Sequence, residues 1–172
     1  MTPPVAGFRS SWTRLYGLAQ RLASDAGDAG EVFLPIGLAL ENPAGPDRAW
    51  DYWATPAGAI TFASTGGDGV HFSFVPRGGT WPVVMTVPMA FDTPNHVVGA
   101  DLREFLALGC RTGYYALERL AYGWGRGELI AALQAAGPPG DGLEERHLLG
   151  ALVIEFGLRP WPDVGERLAE LA

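Results

Sequence analysis

The sequence predicts an α+β protein: an antiparallel β-meander with helices packed on one side and extra helices at its C-terminal end. Three observations lead there. Short runs rich in Val, Ile, Thr and Phe are grouped within residues 59–99, and grouped strands mark the α+β class. The links between them are tight and rich in glycine or proline, as hairpins require. Helical spacing of apolar residues appears on both sides of the group.

Each element follows from its own residues. Phe8, Trp12, Leu15, Ala19 and Leu22 recur at spacings of four and three. They make one face of a helix that Ser10 or Ser11 can cap and that ends near Asp25-Ala26-Gly27. Phe33 to Leu40 is apolar but interrupted by Pro35 and Gly37, which predicts an edge strand or an irregular segment. Residues 41–58 carry three prolines, two glycines and the aromatics Trp50, Tyr52 and Trp53. They read as a loop with one short strand around Trp50 to Ala54. On a strand, Trp50 and Tyr52 share a face and Trp53 points away.

Ile60 to Ser64 and Val70 to Val75 form a hairpin across Thr65-Gly66-Gly67-Asp68-Gly69. Val70, Phe72 and Phe74 face one way, His71 and Ser73 the other. Arg77-Gly78-Gly79-Thr80 turns the chain into Pro82 to Met89, a central strand that is apolar on both faces. Phe91 to Asn95 is the next turn. His96 to Gly99 then feeds a helix over residues 101–108, whose inward stripe is Leu102, Phe105 and Leu106. Asp101 and Glu104 suit its N-terminal dipole. Gly109 and Gly113 interrupt it before helical spacing resumes from Tyr114 to Tyr122. Gly123 to Gly127 reads as a break. Glu128 to Ala136 is a helix stopped by Gly137-Pro138-Pro139-Gly140, and further helices cover 143–158 and 164–171.

A chain of 172 residues fits one domain, 1–172, with a helical extension over about 124–172. No apolar run reaches the ~18 residues of a membrane span. The N-terminus lacks the basic and apolar regions of a secretory signal. Cys110 is the only cysteine, which forbids an internal disulfide and agrees with a reducing compartment. The expected location is cytoplasmic. In its apolar setting Cys110 reads as a small core residue. The net charge is −7, and the twelve basic residues, all arginine, are scattered. Nucleic acid and anionic lipid are therefore unfavourable partners.

Candidate chemistry is sparse. Gly66-Gly67-Asp68-Gly69 precedes a strand, so it offers no helix N-terminus to a phosphate. Asp68 and His71 flank a turn, and His96 is a conceivable third metal ligand. A catalytic zinc takes three protein ligands; the plainer reading is that Asp68 bonds the turn backbone and His71 is a polar sheet residue. Glu144-x-x-His147 lacks the second copy that a di-iron bundle uses. No nucleophile elbow occurs. No catalytic residue, metal or cofactor is expected. The candidate binding residues are Trp50, Tyr52, Trp53, Asp68 and His71: the rings either cap the open end of the core or form an exposed recognition patch.

The run Ile60-Thr-Phe-Ala-Ser-Thr-Gly-Gly-Asp-Gly-Val-His-Phe-Ser-Phe74, followed by Pro82-Val-Val-Met85 and then Val97-Val98 leading to Leu102-Arg-Glu-Phe-Leu106, resembles the SUKH superfamily. These proteins are similar to the fungal cell-wall-synthesis regulator and to bacterial toxin-immunity proteins. The matching order spans roughly residues 10–110. It departs in having no evident asparagine-glycine loop near 27–33, and in its helices beyond Gly123. The resemblance implies a sheet covered by helices on one side and a non-enzymatic role; it transfers no catalytic residue.

The expected function is thus a cytosolic protein-binding module, one form being an immunity protein that neutralises a basic toxin domain. Two alternatives stand beside it. One is a small-ligand binder or enzyme with a pocket near Trp50, Trp53, His71 and His96. The other is a homo-oligomeric structural protein.

Overall fold

The computed structural model describes residues 5–25, 27–135 and 142–172, with side chains of the first helix from residue 7 onward. The first helix, α1, is Val5–Leu22. Ser10 and Ser11, expected to cap its start, lie inside it. Phe8 explains the difference. Its ring packs on Phe74 and Trp81 at 4.7 and 4.8 Å, so the helical register is fixed a turn earlier than the serines. The helix ends at Leu22, and a turn closes from Gly27 N to Ser24 O. Ala26, part of the expected stop, lies outside the described residues.

Residues 29–38 fold as two 3₁₀ turns, Ala29–Glu31 and Leu34–Ile36. Gly37 ends the second at φ 88°. A Cβ there would sit 2.6 Å from the Tyr115 amide, so glycine is required twice over, by angle and by space. Strand β1 is only Ala39–Leu40.

Strands β2 (Ile60–Ser64), β3 (His71–Phe74), β4 (Val83–Thr86) and β5 (Asn95–Gly99) follow. The sheet runs β1-β2-β3-β4-β5 with every neighbouring pair antiparallel. This is the α+β meander that the sequence predicts. Register is set by the hairpins: Phe72 faces Ala63 and Met85, while His71 faces Ser64 and Thr86. Directly paired residues share a face of the sheet, so one pairing scheme sorts apolar from polar side chains.

The apolar face meets the helices. Helix α2 (Leu102–Leu108) places Phe105 edge-on to Phe62 at 5.8 Å and against Phe72 at 4.8 Å. Trp12 of α1 reaches Phe74 at 6.0 Å. Each fully buried side chain of this kind contributes about 1.5–3 kcal/mol relative to exposure. Asp101 caps α2, its carboxylate accepting from Glu104 N at 2.8 Å.

Beyond α2 the expected helix over 114–122 is instead a 3₁₀ segment, Tyr115–Ala121. Its entry is fixed by tertiary contacts rather than by helical spacing: Tyr114 N donates to Ile36 O at 2.8 Å and the buried Tyr114 hydroxyl donates to Leu106 O at 2.7 Å. The expected break at Gly123–Gly127 is also corrected: these residues open α3 (Gly123–Gln134). Glycine costs about 1 kcal/mol in a helix, and tertiary packing overrides it. Gly125 is buried on the Arg119 side chain, and Leu129 and Leu133 anchor the same helix in the core. Its expected stop, residues 137–140, lies outside the described residues. Helix α4 (Leu143–Phe156) ends on left-handed Gly157, and α5 (Val164–Leu171) starts on the Asp163 cap. Leu152 and Leu168 from these helices join the core that holds Phe72 and Phe105. Cys110 is buried there, and burial raises its thiol pKa, with Arg111 opposing.

Candidate functional site

Residues 41–58 decide the character of the second sheet face. Proline removes ladder donors, and the short strand expected around Trp50 to Ala54 does not form. The segment instead lies over β2 and β3 as a strap. Thr61 N donates to Arg48 O at 3.0 Å, and Trp50 N donates back to Thr61 Oγ1 at 3.0 Å. A sheet hydroxyl thus takes the place of a backbone partner.

Beneath the strap, Thr61, Ser64, His71, Ser73 and Thr86 are buried. The Thr61 and Ser73 hydroxyls pair at 3.0 Å. Thr86 donates to Asn95 Oδ1 at 2.7 Å, and Asn95 Nδ2 donates to Ala54 O at 2.9 Å. His71 Nδ1 lies 2.8 Å from Gly69 O and Nε2 lies 3.0 Å from Thr55 Oγ1. A carbonyl only accepts, so Nδ1 carries the proton and Nε2 accepts from Thr55. Burial lowers the His71 pKa, with the Gly69 bond opposing. Among the described residues, no buried side-chain nitrogen or oxygen lacks a partner.

Trp50 and Tyr52 roof this histidine. Their rings lie 5.3 and 5.4 Å from the imidazole and 6.1 Å from each other. Gly69, at φ 83°, makes room: a Cβ would lie 3.0 Å from the Tyr52 ring. Asp68 Oδ1 accepts from Thr65 Oγ1 at 2.5 Å and Val70 N at 3.1 Å, which locks the hairpin turn. Of the five candidate binding residues, Trp50, Tyr52 and His71 therefore come together, and Asp68 holds the turn beside them.

Trp53 and His96 go elsewhere. His96 pairs with Met85 and so shares the helix-covered face, whereas His71 pairs with Thr86 on the other. The sheet itself separates the two histidines, and the pocket expected near Trp50, Trp53, His71 and His96 does not form. His96 Nε2 bonds Thr93 O at 2.7 Å. Burial lowers its pKa, the Thr93 bond opposes, and the charge of Arg126 lowers it further. Glu144 and His147 are exposed on α4. Among the described residues, no group of three His, Cys, Asp or Glu side chains could hold a metal ion.

Trp53 swings outward, its indole donating to Pro88 O at 3.2 Å and its ring stacking on Phe91 at 6.0 Å. Here the surface is unusually apolar. Trp53 is 63%, Met89 65%, Phe91 68% and Trp124 78% exposed. Met89, Phe91 and Trp124 line a groove of about 420 Å³ together with Asp92 and Tyr122. Trp124 stacks on Tyr122 at 5.8 Å. Sequence reasoning found Trp53 but missed Met89, Phe91 and Trp124. Their signal was large apolar residues next to turn residues, Pro88 and Pro94 in one case and Gly123 and Gly125 in the other.

A second hollow, about 570 Å³, lies between α2 and residues 158–162. Of its charged groups, Arg103, Glu104 and Arg167 are committed to protein partners. Arg103 donates to Phe156 O and Gly157 O, and Arg167 pairs with Glu104 at 2.7 Å. Burial raises the Glu104 pKa, but Arg167 and the Ala100 amide outweigh it and the net shift is downward.

Compared with known proteins, the chain matches no family model, no curated protein and no solved structure. The SUKH resemblance rests on the order of residues in this chain. Among the described residues, no helix is long and apolar enough to cross a membrane.

Proposed function

We propose that this chain is a non-enzymatic protein-binding module that docks through the ridge of Trp53, Phe91, Met89 and Trp124. The observation that carries the reading is four large apolar side chains, each more than 60% exposed, gathered beside one groove. Scattered exposed apolar residues need no explanation, but a contiguous patch marks a docking surface. Aromatic and methionine side chains are enriched at interfaces, and tryptophan dominates binding hot spots. The polar groups beneath the strap add support, since they are satisfied by one another.

Together with the SUKH resemblance, the net charge of −7 favours immunity to a toxin: an acidic inhibitor gains electrostatic steering toward a basic toxin domain. Affinity capture from the host tests both levels. The wild-type chain retains a protein that the Phe91→Ala/Trp124→Ala variant releases. Equal retention by the two chains, or none, removes the docking reading. A retained partner carrying a toxin domain supports immunity; a partner without one removes that role and leaves the module.

A further inference from the structure

We infer that the groove between Phe91 and Trp124 receives a cationic side chain, an arginine or a lysine, presented by the partner protein. The inference rests on the docking reading above and names the chemistry of its central contact. The groove has aromatic walls, Phe91, Tyr122 and Trp124. The face of an aromatic ring carries negative quadrupole charge and attracts a cation, tryptophan most strongly. Among the described residues lining this groove, Asp92 is the only charged one. Asp92 is exposed and makes no ion pair or hydrogen bond with any other described residue.

On charge these features favour a cation over other occupants; Arg126, whose charge reaches His96, does not line the groove and donates to Leu120 O at 2.9 Å. An anionic group would meet a bare carboxylate. An apolar side chain would strip water from that carboxylate and return no hydrogen bond. A second copy of this chain brings another seven negative charges and its own Asp92. A guanidinium or ammonium satisfies both the rings and the carboxylate, while its aliphatic stem covers Met89. The volume, about 420 Å³, falls within the ~300–1,000 Å³ of ligand pockets, so it admits a long side chain with some of its backbone.

NMR titration of the full chain tests the assignment. The probes are glycine-flanked peptides carrying three arginines, three lysines or three citrullines, citrulline being an uncharged isostere of arginine. The arginine and lysine peptides are expected to shift the Trp124 indole resonance saturably, and the citrulline peptide to bind about fivefold more weakly or less. Followed through the Tyr122 and Asp92-neighbour resonances, Asp92→Asn and Trp124→Ala should each weaken arginine-peptide binding about two- to fivefold. Trp124 is mostly exposed, so Trp124→Ala should leave the melting temperature within a degree or two of wild type.

Equal affinity for arginine and citrulline overturns the assignment. So does arginine binding that ignores both substitutions, or no shift at the groove with any peptide at millimolar concentration. Any of these results leaves the capture experiment untouched, so the docking reading and the cationic anchor fail separately.

Discussion

On one face of the sheet, Phe72, Phe74 and Met85 meet helices whose apolar stripes repeat every three to four residues. On the other face, His71, Ser73 and Thr86 meet a strap without a helix or a strand. Both faces are buried, by different means. The helical side excludes water with interlocking rings and needs few directional contacts. The strap side must supply a partner for every donor and acceptor, because an unsatisfied buried group costs about 1–3 kcal/mol. Thr61 illustrates the second case: its single hydroxyl serves Trp50 N and Ser73.

The largest expected break in this comparison is on the helical side. Phe72→Ala removes a fully buried ring that contacts Phe105 and should cost about 3–5 kcal/mol, read from urea unfolding at pH 7.5. A cost below that of a surface substitution would mean that the face is not packed as described.

On the strap side the effect is smaller and depends on partners. Thr61→Val leaves Trp50 N and the Ser73 hydroxyl without their shared partner and should cost about 1–3 kcal/mol. The Thr61→Val/Ser73→Ala double variant should cost less than the sum of its singles, since the pair shares one bond. Strict additivity would show that the two hydroxyls do not interact.

Acid sharpens the comparison further, because His71 couples the strap-side packing to mild pH. Unfolded, His71 titrates near 6.5; folded, its pKa is lower. Above 6.5 both states are neutral and the linkage vanishes. Below it the unfolded chain gains a proton that the folded chain resists, so stability falls with pH by at most about 1.4 kcal/mol per unit for one proton. His96 shifts in the same direction from the helix-covered face. His71→Asn should therefore reduce, without abolishing, the loss of stability between pH 7.5 and 5.5. A slope identical to wild type would assign the whole effect to other groups.

The same contrast explains what was legible in advance. Val70, Phe72 and Phe74 announce their face by alternation, and Leu102, Phe105 and Leu106 by helical spacing. Both patterns are local and survive without knowledge of the neighbours. Residues 41–58 have no period, so nothing in them said that they would close over His71. Trp50 and Tyr52 were correctly placed together and Trp53 apart, although the strand expected to separate them is absent. Met89, Phe91 and Trp124 escaped notice because their position at the groove depends on the 88–94 turn meeting the start of α3. Those segments lie some thirty residues apart in the chain.

The amino-acid order by itself determined the antiparallel meander and most of its helices, because period-2 and period-3.6 patterning and glycine turns act over a few neighbours. Tertiary structure alone decided that the polar face is roofed, that the two sheet histidines lie on opposite faces, and that aromatic side chains flank an acidic groove. Each of those outcomes is a meeting of distant segments. Burial and exposure are properties of that meeting, and no local repeat in the chain encodes them.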